Sequence, residues 1–265
     1  MIRRTPLGDP QGLAMLRLKM LRAYSVVRGM LKTLKRAIQW KALLRFHSQL
    51  VHAGDLVFDV GGNYGEKTKI YRALGCSVVV VEPQEECNVY LRRRFAQDRQ
   101  VSIVPAALGA CVGESELKLS DIRCQLSSMS DHWIDAVRES GRFSRYRWTR
   151  SITVPIRTLD SLIEAFGLPA FCKIDVEGYE YEVLRGLSRA IPCMSFEFHV
   201  EYLEPALSSI AHVSGLGPYE FNFTVGNWTR FQLQTWVPAQ EIVNILQAIP
   251  QVTMQGDVYA RVRET

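Results

Sequence analysis

The chain has 265 residues, 47% of them apolar, which is enough apolar material to exclude a largely disordered protein. Its formal net charge of +5 is unevenly placed, because residues 1–50 hold eleven basic residues and one acidic residue, whereas residues 51–265 hold 21 basic and 26 acidic residues. We therefore predict a basic N-terminal arm over 1–50 and a mildly acidic domain over 51–265, and a domain of that charge is not expected to bind nucleic acid.

The cysteines and the first residues bear on the cellular compartment. The six cysteines form no C-x-x-C pair and have irregular spacings, which favours free thiols over a zinc site or a disulfide framework. No apolar run follows Arg3 and Arg4, and no run reaches 18 apolar residues, so neither a secretory signal nor a membrane-spanning helix is expected. We expect a cytoplasmic protein.

Residues 13–46 are predicted to form one or two amphipathic helices, because apolar residues recur at spacings of three and four and basic residues fill the other faces. The apolar stripe consists of Leu13, Leu16, Met20, Ala23, Val27, Leu31, Leu34 and Ile38. Two interpretations stay open, and a third, contact with nucleic acid, is disfavoured because the rest of the chain is acidic. The helices pack on the domain or on a second copy of the chain in a homo-oligomer, or they lie on an anionic membrane surface as a peripheral contact.

From residue 56 onward, short runs rich in Val, Ile and Phe alternate with helical stretches. This alternation predicts an α/β fold with a mostly parallel sheet that is covered by helices on both faces. The predicted strands are 56–60, 77–83, 101–108, 115–119, 153–158, 170–176, 194–199, 219–225, 231–237 and 257–262. The predicted helices are 66–74, 84–97, 178–187 and 238–248.

A polar and aromatic segment over 120–150 interrupts this alternation. It contains four aromatic residues and five arginines, namely Trp133, Phe143, Tyr146, Trp148, Arg123, Arg138, Arg142, Arg145 and Arg147. Two interpretations are open. The segment is a lid that holds a glycan or anionic acceptor by aromatic stacking and arginine contacts, or it is a solvated helix with a few aromatic anchors.

Three features are predicted to meet at the carboxyl edge of the sheet, where open α/β sheets bind their ligands. The first strand ends in a glycine-rich turn over 59–65 that reads D-x-G-x-N-x-G, the second ends in Glu82, and a later one ends in Asp175. An acid at the start of the turn would repel the pyrophosphate of a dinucleotide, but it suits the ammonium and sulfonium groups of S-adenosylmethionine. Glu82 is placed to accept hydrogen bonds from both ribose hydroxyls. The pattern therefore favours S-adenosylmethionine over NAD.

Three segments resemble the FkbM-type S-adenosylmethionine-dependent methyltransferases. They are VFDVGGNYGEKT over 57–68, VPIRTLD over 154–160 and KIDVEGYEYEVLRG over 173–186, of which the last is the most specific. The resemblance covers about 57–200 and includes the pair Ser127 and Ser128, whereas Gly62 stands where the family usually has alanine. It implies a Rossmann-like class I methyltransferase fold, with a seven-stranded sheet whose last strand is antiparallel, and methyl transfer to a hydroxyl of a sugar, glycan or natural product.

The resemblance also implies a cofactor site. The glycine-rich turn would hold the methionine part of the cofactor, Glu82 the ribose, and backbone near Ala106 and Ala107 the adenine. The full set of cofactor-binding residues predicted in this way is Asp59, Gly61, Gly62, Asn63, Tyr64, Gly65, Thr68, Glu82, Pro83, Ala106, Ala107 and Asp175.

Methyl transfer to a hydroxyl needs a base that removes its proton, or a metal ion that lowers its pKa. Asp175 and Glu177 are the candidate catalytic or orienting carboxylates, although Asp175 would also suit a helix N-cap and Glu177 a helix N-terminus. His199 shares a strand face with Glu197 and is the candidate general base, or else a hydrogen-bonded core histidine. Asp175, Glu197 and His199 could hold a divalent cation, but no ligand spacing demands one, so we predict no metal.

We predict an O-directed methyltransferase that uses S-adenosylmethionine and acts on a small-molecule, sugar or glycan acceptor. A non-catalytic α/β module that binds a nucleotide-like ligand or a partner is the alternative. An NAD-dependent oxidoreductase is a weaker alternative, because the register of the glycine-rich turn disfavours it.

Overall fold

The structure is a computed structural model that describes residues 24, 28, 32–226, 229–250 and 254–263. The chain divides into two units, Met1–Arg45 and Phe46–Thr265. In the first unit residues 32–45 are helical, and Leu34 and Ile38 of the predicted apolar stripe are exposed. The rest of that stripe lies outside the described residues. Among the described residues, no helix is long and apolar enough to cross a membrane.

The second unit contains ten strands and seven α-helices among its described residues. The strands are β1 (Leu56–Val60), β2 (Ser77–Val81), β3 (Val101–Val104), β4 (Ala107–Leu108), β5 (Gly113–Leu119), β6 (Arg150–Arg157), β7 (Phe171–Ile174), β8 (Cys193–His199), β9 (Tyr219–Phe223) and β10 (Gln255–Val262). The helices are α1 (Glu66–Ala73), α2 (Glu85–Arg94), α3 (Asp131–Glu139), α4 (Leu159–Phe166), α5 (Glu180–Arg185), α6 (Glu204–Leu216) and α7 (Ala239–Gln247).

Seven strands form the main sheet in the order β3-β2-β1-β7-β8-β10-β9. All neighbouring strands run parallel except β10, which is antiparallel to both β8 and β9. The predicted seven-stranded, mostly parallel sheet with an antiparallel last strand is therefore confirmed. A smaller sheet has the order β4-β6-β5 and frames the segment that the sequence marked as an interruption.

Both faces of the main sheet are buried, because successive strand residues enter two different apolar clusters. Phe58 and Val79 belong to the cluster that contains residues of α4 to α7. Val57 and Val78 belong to the cluster on the other face, to which α1 and α2 add Tyr71 and other residues. Continuous apolar strands are the usual consequence of such two-sided burial.

The second unit begins at Phe46, not at the predicted residue 51. Phe46 is 2% exposed and its ring lies 5.0 Å from that of Phe231 and 5.7 Å from that of Tyr259, measured between centroids. Val51 is buried in the same cluster. Burial of these residues places the last turn of the helix, residues 46 and 47, with the second unit.

The prediction of a strand over 231–237 was wrong. Only Val237 in this stretch bridges a strand residue, Phe221, and the rest is irregular. The reason is that the side chain of Asn222 forms hydrogen bonds with the backbone of this stretch. The Asn222 side chain accepts the N–H of Leu233 and donates to the carbonyl of Leu233. The predicted strand 101–108 is two strands, β3 and β4, which belong to different sheets. Helices α4 and α6 were not predicted, whereas α3 lies in the segment over 120–150, for which a helix was one of the two interpretations.

The parallel register brings the polar residues together at the carboxyl edge of the sheet. Asp59 on β1 lies opposite Lys173 on β7. Glu82 follows β2, Asp175 follows β7, and His199 ends β8. Because β1, β2, β7 and β8 run in the same direction, the residues at their ends surround one region above the sheet edge.

Candidate active site

A cavity with an empty volume of about 690 Å³, its opening to solvent included, lies at this edge. Its size is in the range of small-molecule sites. Of the predicted cofactor-binding residues, those that line it are Gly61, Asn63, Glu82, Pro83, Ala106, Ala107 and Asp175. The remaining ones, Asp59, Gly62, Tyr64, Gly65 and Thr68, do not line it. We call this space the first cavity.

Gly61 forms part of the floor of the first cavity and needs to be glycine. Its φ is 77°, and a Cβ built on it would lie 1.8 Å from the carbonyl oxygen of Asp175. The N–H groups of Gly61 and Gly62 both donate to the carbonyl of Val81, at 2.9 and 3.1 Å, so the turn is held against β2. A Cβ on Gly62 would lie 2.2 Å from Val80 Cγ1, which accounts for glycine where the resembled family usually has alanine.

Glu82 is held with its carboxylate facing the first cavity. Its Oε2 accepts the backbone N–H of Asn63 at 2.9 Å, and its Oε1 accepts the backbone N–H of Gln84 at 2.8 Å. Each oxygen keeps a second lone pair for a ligand hydroxyl. Burial raises the pKa of Glu82 to about 7, against the lowering effect of these two N–H donors.

Asp59 and Thr68 form a buried pair beneath the turn. The hydroxyl of Thr68 donates to Asp59 Oδ2 at 2.5 Å, and Asp59 is 2% exposed. Burial raises the pKa of Asp59, and the Thr68 hydroxyl counteracts that shift. The structure thus places Asp59 under the cavity wall, where it supports the turn, and not at the surface of the cavity.

Several residues of the first cavity were not singled out from the sequence. Leu117 on β5 and Met129 supply apolar wall and pack in one apolar cluster with Ala107. The other unpredicted residues in the wall include Gln84, Cys124 and Gln125. The pair Ser127 and Ser128 was the one signal of this wall in the sequence.

That serine pair fastens the wall to two neighbouring segments. Ser127 Oγ donates to Gln84 Oε1 at 3.1 Å, and Ser128 Oγ donates to the carbonyl of Glu177 at 2.6 Å. Glu177 has a φ of 55°, which is a strained conformation for a residue with a side chain. The Ser128 bond therefore helps to hold Glu177 in that conformation.

Asp175 is paired with a lysine and does not cap a helix. Lys173 Nζ lies 2.5 Å from Asp175 Oδ2, and α5 starts only at Glu180 with Tyr179 as its N-cap. Glu180 itself accepts the N–H groups of Val176 and Gly178. Although desolvation favours the neutral acid, the Lys173 ammonium lowers the pKa of Asp175, so Asp175 is ionised at neutral pH.

His199 is fully engaged within the protein. Arg142 Nη1 lies 3.2 Å from its Nδ1, and Glu197 Oε2 lies 3.1 Å from its Nε2. An arginine can only donate, so Nδ1 accepts and Nε2 carries the proton that it donates to Glu197. Burial lowers the pKa of His199, which is consistent with a neutral ring. His199 lines neither the first cavity nor the one described next.

The acidic cluster next to His199 differs from the predicted one. Among the described residues, Glu177, Glu197 and His199 offer three ligand atoms within 4.8 Å of one another, with Glu177 in the place expected for Asp175. The proton on His199 Nε2 leaves a metal ion no lone pair at that atom. Desolvation raises the pKa values of Glu177 and Glu197 well above their ordinary value, and each carboxyl also faces a further carboxylate.

A second cavity with an empty volume of about 950 Å³, its opening included, adjoins the first. Asp175, Glu177 and Gln125 line both cavities. Asp175 and Glu177 thus lie at the junction of two spaces, each large enough for a small molecule.

The segment over 120–150 combines buried aromatic anchors with arginines that line a cavity. Its aromatic residues build a small core of their own, in which Trp133 is 0% and Tyr146 3% exposed, so these two rings are anchors and do not stack on a ligand. Of its five arginines, Arg123 and Arg142 line the second cavity. The segment is therefore an ordered wall of the site.

The fold and the two adjoining cavities, with a glycine-rich turn, an acid after β2 and a carboxylate after β7, are those of a class I methyltransferase. The family model described as the methyltransferase FkbM domain matches residues 59–229. The chain belongs to this family. It transfers methyl groups from S-adenosylmethionine, as the sequence predicted.

Solved structures are similar to this chain at low identity. The precorrin-6Y C5,15-methyltransferase of Geobacter metallireducens shares 9% identity at a TM-score of 0.44, with 86% of each chain covered. A putative O-methyltransferase from Klebsiella pneumoniae shares 12% identity at a TM-score of 0.41, with 86% of this chain and 81% of that chain covered. The O-methyltransferase of Bacillus cereus in complex with SAH shares 11% identity at a TM-score of 0.39, over 85% and 81%. No curated protein matches the chain.

Proposed function

We propose that the protein methylates a hydroxyl oxygen of a small-molecule, sugar or glycan acceptor, with the cofactor in the first cavity and the acceptor in the second. The observation that carries this proposal is the junction of the two cavities at Asp175 and Glu177. A methyl donor and an acceptor must meet in line within van der Waals distance, which requires two spaces that touch at the reacting atoms.

The residues of the first cavity fit S-adenosylmethionine. Gly61 lines the cavity without a side chain, Glu82 offers two lone pairs to ribose hydroxyls, and Ala106, Ala107 and Leu117 give an apolar slot for adenine. Asp175, which is ionised, adds negative charge near the cationic end of the cofactor. Asp59 and Thr68 act through the turn that they support.

When bound, S-adenosylmethionine supplies a methyl group whose bond to sulfur breaks, leaving its electron pair on sulfur, as a lone pair of the acceptor oxygen forms the new bond to carbon. Asp175 Oδ2 is held by Lys173, and no described residue donates to its Oδ1. That oxygen accepts the hydrogen bond of the acceptor hydroxyl, which orients the hydroxyl lone pair, and it takes the proton as the new bond forms.

Glu177 and His199 take supporting parts in this proposal. Glu177 stands beside Asp175 in both cavities, and desolvation raises its pKa well above the ordinary value, so that its neutral form can donate a hydrogen bond to the acceptor. His199 is a positioning residue, because it reaches the site only through Glu197 and Arg142. In this arrangement the base is Asp175, and the sequence-based assignment of a base to His199 has no free ring nitrogen to support it.

The test is the variant Asp175→Asn, assayed with labelled methyl donor and by calorimetry with S-adenosylhomocysteine. We expect turnover to fall about 100-fold or more, in the range of general-base catalysis, while S-adenosylhomocysteine affinity changes far less. Asp135→Asn, an exposed aspartate that lines neither cavity, is the control. Full activity of Asp175→Asn would refute the base, and a product methylated at nitrogen or carbon would refute O-transfer.

A further inference from the structure

The second cavity contains four cationic side chains, and two of them are already paired within the protein. Lys173 lies 2.5 Å from Asp175 and 4.0 Å from Asp257. Arg142 lies 3.0 Å from Glu201. These two cations are held by protein carboxylates and are therefore not free to bind a ligand.

The other two cations of the second cavity, Lys67 and Arg123, have no hydrogen bond or ion pair with a side chain among the described residues. Lys67 is half-buried in the first turn of α1, where the helix dipole disfavours a cation. Desolvation and the neighbouring Lys173 ammonium lower the pKa of Lys67, and this lowering outweighs the opposite effect of Asp257, Asp175 and Asp59, with none of which Lys67 forms an ion pair. Arg123 is exposed at the wall formed by the segment over 120–150.

The carboxyl groups of the second cavity do not supply a partner for Lys67 or Arg123. Asp175 and Asp257 face Lys173, and desolvation raises the pKa values of Glu177 and Glu197 well above the ordinary value, which disfavours their charged forms. Lys67 and Arg123 are thus the two cations of this cavity that have no carboxylate at ion-pair distance among the described residues. Glu177 and the side chain of Gln125 also offer hydrogen bonds to hydroxyl groups.

We propose that the second cavity takes an acceptor that carries an anionic group, a carboxylate or a phosphate, and that Lys67 and Arg123 bind this group while the hydroxyl lies at Asp175. The proposal rests on the proposed function and adds to it the chemical class of the acceptor and two specificity-determining residues. An anion between an ammonium and a guanidinium makes charge-assisted hydrogen bonds, which are stronger than neutral ones.

The first test identifies the charge of the product. The full chain is incubated with methyl-labelled S-adenosylmethionine and the extract of the cells that produce the protein, and labelled products are separated by anion exchange at pH 7, with and without phosphatase. We expect the labelled product to be retained, and phosphatase sensitivity distinguishes a phosphate from a carboxylate. A neutral or cationic product overturns this inference and leaves the proposed function intact. Absence of any labelled product, with S-adenosylhomocysteine still bound, overturns both.

The second test uses the retained acceptor with two variants, Lys67→Met and Arg123→Gln. Each is expected to raise the acceptor KM about tenfold or more, the usual cost of losing a charge-assisted hydrogen bond, with S-adenosylhomocysteine affinity unchanged. Lys69→Met on the same helix and Arg150→Gln on β6 are the controls, since neither residue lines a cavity described above. An unchanged KM in both variants overturns the assignment of these residues, even where the product is anionic.

Discussion

At the scale of single residues, Glu82 sets how cofactor affinity depends on pH. Only its ionised form offers both oxygens as acceptors to two ribose hydroxyls, and burial raises its pKa to about 7. Hydrogen bonds from a ligand stabilise the ionised form, so binding releases a proton below that pKa. We expect S-adenosylhomocysteine affinity to fall by up to about tenfold per pH unit below 7 and to level off above it. Calorimetry between pH 5.5 and 8 measures this slope.

The matched variant for that slope is Glu82→Gln. The amide keeps the shape of the side chain but does not titrate, so its affinity should be lower at pH 8 and nearly independent of pH. A slope that persists in Glu82→Gln would mean that another group titrates, and Asp59 is then the next candidate because burial raises its pKa as well.

Gly61 makes a second prediction at the residue scale. In Gly61→Ala the new Cβ would meet the carbonyl oxygen of Asp175, which is backbone and cannot turn aside. We expect the turn and the end of β7 to separate, with S-adenosylhomocysteine affinity lowered at least tenfold and the free energy of unfolding lowered by about 1–3 kcal/mol. Gly113→Ala on β5 is the control, because a Cβ there meets nothing within 4 Å. Wild-type affinity in Gly61→Ala would contradict the close approach.

At the scale of elements, the wall over 120–150 depends on its own small core. Trp133 on α3 packs against Phe143 and Trp148, and a Cβ on Gly178 would lie 2.3 Å from its ring. Trp133→Ala is expected to lower the free energy of unfolding by about 3–5 kcal/mol. His132→Ala, an exposed neighbour on α3, should change it by less than about 0.5 kcal/mol in the same denaturant titration. Equal effects of the two variants would contradict a packed wall.

The elements that the sequence predicted well are those with one strong pattern. The Val and Ile runs of β1, β2 and β7 are buried on both faces, so their composition left little ambiguity. The stretch 231–237 contains four apolar residues among seven but is irregular, because the side chain of Asn222 binds its backbone, a contact between residues eleven positions apart along the chain. The pattern of apolar and polar residues along the chain does not predict such a contact.

At the scale of the whole molecule, contacts between residues far apart along the chain also limit what the sequence predicts about the site. Glu82 and Asp175 could be placed from the sequence, because parallel strands put their carboxyl ends at one edge. Leu117, Cys124 and Met129 could not, since they reach the first cavity only through the packing of the small sheet and its wall. Asp59 was placed at the cofactor by its position in the turn, whereas its bond to Thr68 buries it below the turn. The position of a residue in the motif thus predicted the strand end at which it lies, but not the direction in which its side chain points.

The uneven charge of the chain gives the last prediction. Every residue that lines the two cavities belongs to the unit Phe46–Thr265, so a chain of residues 46–265 should bind S-adenosylhomocysteine as the full chain does. Cutting at residue 51 would instead remove Phe46 from its contacts with Phe231 and Tyr259 and lower stability.

We propose that the basic residues before position 46 contact an anionic membrane, each adding about 1 kcal/mol near the surface.

Sedimentation with vesicles that contain phosphatidylserine compares the two chains. The full chain is expected to sediment at low salt and to be released as salt is raised, because screening weakens such contacts. The chain of residues 46–265, with its excess of acidic residues, should stay in the supernatant. Equal sedimentation of both chains would contradict the membrane contact. A mass difference between them in solution, beyond the residues removed, would point instead to a homo-oligomer held by the arm.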